Sequence, residues 1–143
     1  MKWLCLVLLV ALPAAAHAAA DSPVGIWHTI DDKTGKERGV VELHEADGQI
    51  VGTVVATTDP AEGRHVCERC TGAQKDKPII GLTFMWGLHP DGTEWDGGWI
   101  LDPETGAVYH CNMHLEDGGR SLVVRGYLGV SLFGRSQTWH RDR

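Results

Sequence analysis

Several features are scarce in this 143-residue chain. Beyond the first twenty residues there is no apolar run near the roughly 20 residues that a membrane-crossing helix requires. Basic residues are outnumbered 13 to 19 by acidic ones and form no cluster, so nucleic acid and anionic membrane surfaces are poor partners. The 3.6-residue periodicity of amphipathic helices is nearly missing, which argues against a helical fold. G-x-S-x-G, H-E-x-x-H and a phosphate-binding glycine loop are all lacking, so no common hydrolase or nucleotide signature marks an enzyme. There is no second C-x-x-C to complete a four-cysteine zinc centre.

What is present begins with a leader. "MKWLCLVLLVALPAAAHAAADSP" has a positive Lys2, an apolar stretch from Trp3 to Leu12, and small-residue cleavage sites after Ala18 or Ala20. This reads as a secretory signal peptide over residues 1–20, removed together with Cys5. The expected mature chain, residues 21–143, is one domain of about 123 residues, with 12 basic and 19 acidic side chains. Its location is then periplasmic or secreted, and its cysteines meet an oxidising compartment.

The mature sequence alternates apolar and polar residues in short runs. They are divided by the turn signals "DDKTGK", "ADGQ", "HPDGT", "DPETGA" and "EDGG". Eight strands are expected, at 25–30, 38–46, 49–57, 80–88, 94–102, 107–116, 121–128 and 133–141. Sequential short hairpins favour an all-β, up-and-down antiparallel barrel, because closure removes exposed edges. Period-two counting puts Tyr109, Cys111, Met113 and Leu115 on the inner face, together with Phe84, Trp86 and Leu88. By the same count Trp95, Gly97, Trp99 and Leu101 face in, as do Phe133, Arg135, Gln137 and Trp139. With Trp27, all five mature tryptophans would point inward. Two interiors fit so aromatic a face: a filled core, or a cavity for one small amphipathic molecule.

"SPVGIWHTIDD" contains Gly25-Ile-Trp27, which resembles the G-x-W signature of calycins, the lipocalin-like barrels. The resemblance implies a tryptophan closing one barrel end, and Arg141 in "QTWHR" looks like the arginine that packs across it. A wider resemblance covers nearly the whole mature chain. "SPVGIWHTIDD", "KDKPIIGL", "GGWILDPETGAVYHC" and "LVVRGYLGVSLFGRSQTWHR" look like the secreted bacterial family called domain of unknown function 2147. It implies a lipocalin-like eight-stranded barrel and no established activity. Typical lipocalins carry their large loop after the first strand, whereas here the long segment, 58–79, follows the third.

That segment holds "HVCERCTG", and three readings compete for Cys67 and Cys70. A zinc site would need further ligands from His65, His110, Cys111 or His114. His110 and His114, four apart on a strand, lie about 13 Å from one another and cannot share a metal. A thioredoxin-like site would need a helix N-terminus and a βαβ context, neither of which is indicated. A structural Cys67–Cys70 disulfide that orders the loop is favoured; the rival pairing joins Cys111 to one of the two, and spacing does not choose between them. Asp91, Asp102, Asp31 and Asp32 are explained by turns. Glu42 and His44 share a strand face and read as solvated rather than as an acid/base pair.

The expected function is binding of a small apolar or amphipathic ligand inside the barrel, with no metal or other cofactor. The candidate lining is Trp27, Phe84, Trp86, Trp99, Tyr109, Gln137 and Trp139, with Arg135 meeting an anionic head group. The alternative is a filled barrel acting as an envelope interaction or stress-protective module through segment 58–79, its protein partner unspecified. An enzyme is the third reading and has no strong support in the sequence.

Overall fold

The computed structural model describes residues 21–60, 65–130, 132 and 134–143. The expected leader lies outside these residues, as does Phe133. The strands are β1 (Gly25–Ile30), β2 (Glu37–Ala46), β3 (Gln49–Thr57), β4 (Thr83–Asp91), β5 (Glu94–Leu101), β6 (Val108–Glu116), β7 (Ser121–Tyr127) and β8 (Arg135–Arg141). Each pairs antiparallel with the next, and β8 returns to β1 to close the barrel. The expected up-and-down topology is the observed one. The β2–β3 hairpin turns on Asp47 and Gly48, both at positive φ (52° and 74°), the conformation of a two-residue type I′ connection.

Seven strands match their expected positions to within two residues. β4 begins three residues late, because Ile79–Gly81 folds back as a turn. There Gly81, at φ 88°, donates its N–H to the Val54 carbonyl at 2.8 Å, and Leu82 donates to Ile79 at 3.1 Å.

The inner face departs from simple alternation at bulges, each of which reverses the parity that follows it. Thr53 opposes Thr83 while Gly52 opposes Met85, so β4 carries one extra residue and both Phe84 and Met85 are buried. A second irregularity, beside Gly87 (φ 78°), returns Leu88 to the interior. On β5, Trp95 opposes Met113 but Gly98 opposes Cys111; the extra residue falls at Asp96–Gly97, with Gly97 at φ 74°. Trp95, Gly98 and Ile100 therefore face in, and Trp99 faces out. This corrects the expectation that Trp86 and Trp99 point into the barrel. They pair directly with each other, in a row that continues through His110 to Tyr127 across the outer surface. The Trp99 and His110 rings sit 4.2 Å apart, and those of His110 and Tyr127 5.4 Å.

The core fills one half of the barrel. Trp27, Leu43, Ile50, Met85, Leu88, Cys111, Met113 and Leu122 are all buried there. Packing is tight enough that a Cβ on Gly98 would lie 2.4 Å from Leu88 Cγ. Glycine at that position makes room for a neighbour's side chain in a narrow barrel.

Candidate functional site

The two barrel ends differ in kind. At one end Trp27 is fully buried, its indole N–H donating to the Pro23 carbonyl at 2.8 Å. The Arg141 guanidinium lies 4.3 Å over the Trp27 ring. It donates to the carbonyls of Gly119 (2.7 Å), Val24 (2.8 Å) and Ser22 (2.6 Å), tying the last strand to the entering chain and to the β6–β7 turn. Burial lowers the Arg141 pKa, and the guanidinium remains the charged species that this geometry requires. This end is a plug.

The opposite end gathers the β1–β2, β3–β4, β5–β6 and β7–β8 connections and opens into a cavity of about 710 Å³. That falls within the ~300–1,000 Å³ of small-molecule sites. Val41, Val54, Phe84, Ile100, Val124 and Trp139 supply its apolar walls. The Phe84 and Trp139 rings lie 6.1 Å apart and tilted by 50°, a favourable aromatic arrangement. Polarity rises toward the mouth. Trp139 donates its indole N–H to Gln137 Oε1 at 3.0 Å, and Thr29, Tyr109 and Gln137 ring the middle.

The rim is charged, and its two arginines are bound by carboxylates. Arg135 reaches back to Asp32 at 2.6 Å through both carboxylate oxygens, and this bond holds the Asp32 carboxyl below the usual range. Arg38 pairs with Glu104 and lies 3.7 Å from Asp31. Asp31 itself is locked in its turn, accepting bonds from the Thr34 N–H (2.8 Å) and the Lys33 N–H (3.0 Å). The Asp32–Arg135 pair also spans a seam. β1 and β8 share only two register pairs, Trp27 with Arg141 and His28 with His140, both near the plugged end. Above them the two strands contribute Thr29 and Gln137 to the cavity wall.

Residues 65–82 cover one side of the mouth. Cys67 and Cys70 are joined as a disulfide and both are buried. Cys67 donates its N–H to Lys77 (2.8 Å) and Ile79 donates to His65 (3.0 Å), while Val66 bridges to Pro78. The stapled knob rests on the β5–β6 turn so closely that a Cβ on Gly106 would fall 1.9 Å from the Arg69 carbonyl oxygen. Ile79, behind the knob, reaches the cavity wall. Arg38, Ile79, Pro103 and Glu104 are shared with a neighbouring groove of about 630 Å³ that also includes Lys36 and His65. Among the described residues Cys111 is the free thiol, buried among the core residues; desolvation pushes its pKa up to about 12.

Of the residues expected to line a site, Phe84, Tyr109, Arg135, Gln137 and Trp139 converge on the cavity. Trp27 belongs to the plug, and Trp86 and Trp99 to the outer row. Sequence reading missed Val41, Val54, Ile100 and Val124. Val41 and Val124 were available from alternation on their strands, but aromatic residues drew the attention. Ile100 emerges only once the Asp96–Gly97 bulge is counted. It also missed Asp32, which a turn explained and which is the partner of Arg135. Glu42 is exposed and His44 half-buried on the outer face, as a solvated strand face would be.

A closed eight-stranded antiparallel barrel, plugged by a tryptophan–arginine pair at one end and hollow at the other, is a lipocalin-like fold. The solved structure described as "Protein HP1028 from the human pathogen Helicobacter pylori belongs to the lipocalin family" superposes with a TM-score of 0.73. It matches at 18% identity over 85% of this chain and 84% of that one, a likeness of fold. Residues 25–141 match the family described as an uncharacterized protein conserved in bacteria, DUF2147, and the chain belongs to that family. No curated protein matches the sequence.

Proposed function

We propose that the protein is an exported bacterial binding protein that holds one small amphipathic molecule in the hollow half of its barrel. The observation that carries this reading is the cavity itself, about 710 Å³ with aliphatic and aromatic walls below and a charged rim above. An apolar body would rest against Val41, Val54, Phe84, Ile100, Val124 and Trp139. A polar end would lie among Tyr109, Gln137 and the rim. Because Asp32 already neutralises Arg135, a ligand with an anionic head group competes with that carboxylate, and one with a neutral or hydrogen-bonding head does not. Export is supported by the signal-like leader, and a disulfide is stable in the oxidising compartment to which it leads. The open upper half counts against a wholly filled barrel acting purely as an interaction module.

Fluorescence titration of the mature protein with 1-anilinonaphthalene-8-sulfonate, a drug-sized amphiphile, tests the proposal. Dye emission is expected to rise while tryptophan emission falls, and Val124→Trp, which fills the cavity from its wall, is expected to abolish both changes. Native mass spectrometry of protein exported from bacteria gives a second readout, as a carried mass that leaves on denaturation. An unresponsive wild type with a bare polypeptide mass would refute the reading.

A further inference from the structure

One polar contact inside the barrel constrains what the cavity can hold. Gln137 and Trp139 stand two apart on the inward face of β8, and Val124, directly opposite Gln137 on β7, is buried. Trp139 is buried as well, and its indole N–H donates to Gln137 Oε1 at 3.0 Å. An indole nitrogen only donates, so the amide atom that faces it is the oxygen, and the amide has one chemically sensible orientation.

That leaves the Gln137 Nε2 amino group, with two N–H donors. Among the described residues it has no hydrogen-bond partner, and no buried side-chain nitrogen or oxygen among them lacks one. The amino group is therefore accessible, and Gln137 is part of the cavity wall. Satisfying Trp139 requires only an acceptor; the amide brings two donors into a wall otherwise built from Val124, Phe84 and Trp139.

Charge at the mouth adds a second constraint. The cavity lining carries four carboxylates and three cations, and both arginines are engaged, Arg135 by Asp32 and Arg38 by Glu104. An anionic head group gains no net attraction there, and a neutral one loses none.

We propose that Gln137 sets the ligand class: a neutral amphiphile whose apolar body lies against Val124, Phe84 and Trp139 and whose ketone, ester or amide carbonyl accepts from Gln137 Nε2. This rests on the reading of the cavity as a binding site and narrows what it binds. A carbonyl oxygen meets the amino group without adding a donor that needs a partner of its own. A hydrocarbon over the same wall cuts the amino group off from water and gives nothing back, and that loss is the source of discrimination.

Displacement of bound 1-anilinonaphthalene-8-sulfonate by butyrophenone and by butylbenzene, which share one skeleton, reads out the preference. Wild type is compared with Gln137→Glu at about pH 8, where a carboxylate still accepts from Trp139 but donates nothing. Taking the ratio of the two affinities in each protein cancels ligand hydrophobicity and any general effect of the substitution. The ketone is expected to gain at least roughly tenfold over the hydrocarbon in wild type relative to the variant. Gln137→Met, of similar length and without donors, gives the same comparison where the glutamate variant does not fold. In wild type alone, the infrared carbonyl stretch of bound butyrophenone should lie below its value in hexane. A ratio that neither substitution changes, an unshifted carbonyl stretch, or tighter binding of 4-phenylbutanoate than of the ketone overturns the proposal. Dye that binds wild type without this ketone preference sinks the ligand class alone, whereas dye that does not bind at all sinks the proposed function and the ligand class with it.

Discussion

Replacing Arg141 by alanine tests whether the plugged end is structural. The side chain makes one ring contact, at 4.3 Å to Trp27, and three bonds to backbone carbonyls. The carbonyls of Val24 and Ser22 lie near solvent and can take water in its place, so most of the loss comes from the buried side. A hydrogen bond from a charged donor contributes roughly 1.5–3 kcal/mol, and a partly desolvated cation–ring contact roughly 0.5–2 kcal/mol. Arg141→Ala is therefore expected to cost about 3 kcal/mol, or about 10 °C in Tm for a barrel of this size. Lysine carries the charge but cannot reach three carbonyls from one planar fork, so Arg141→Lys should recover less than half. Urea unfolding followed by tryptophan fluorescence measures both. Because Trp27 lies outside the cavity, dye binding at low temperature should survive either change. A loss below about 1 kcal/mol, or a lysine variant as stable as wild type, would refute the account of the plug. Lost dye binding in a folded Arg141 variant would refute the separation of plug from cavity.

Three further outcomes follow from the same geometry. Gly106→Ala should destabilise by about 2–3 kcal/mol, from its positive φ and the clash with Arg69, whereas Gly48→Ala, with open space around it, should cost only about 1 kcal/mol in the same urea assay. His28 bonds Asp142 at 2.9 Å and Glu37 at 3.0 Å, and those two carboxylates raise its pKa. That contribution is complete below the unfolded histidine value near 6.5 and fades as pH climbs through the raised folded value. Wild type should thus lose stability relative to His28→Gln as pH rises above about 6.5 and through the raised folded value, and parallel pH profiles for the two proteins would count against the bridge. The Cys111 thiol, buried and raised to about 12, should resist Ellman's reagent in the native protein and react as a single thiol on unfolding without reductant. A thiol that titrates in the native state would contradict the burial of Cys111, and three reactive thiols on unfolding would contradict the Cys67–Cys70 disulfide.

Much of the scaffold was legible because its signals are local. Turn chemistry at Asp47–Gly48 and Gly92 marks hairpin ends, and the strand count follows from those turns. The G-x-W and the terminal arginine can be read from a one-strand, one-residue pattern, and Trp27 and Arg141 do meet. Spacing left two cysteine pairings open, and the structure joins Cys67 to Cys70 in a turn packed against Gly106. The site was less legible. β6 alternates without interruption, so Tyr109, Cys111 and Met113 fall where counting puts them. β4 and β5 do not, and tryptophans at positions 86 and 99 were assigned to the wrong side.

By itself, then, the chain determines eight short strands, their antiparallel sequence, a tryptophan and an arginine that resemble the plug of a calycin, and a long loop after the third strand that carries two cysteines three apart. Each of these depends on neighbours in sequence or on one residue type in one place. Which half of the barrel is solid, which is hollow, and which residues look into the hollow were decided by the tertiary structure. The physical reason is that side-chain parity passes through every bulge, and a bulge forms where adjacent strands disagree in register. Gly87 and Gly97 permit the reversal, but whether it occurs depends on how Gly52, Met85, Gly98 and Cys111 fit across the barrel.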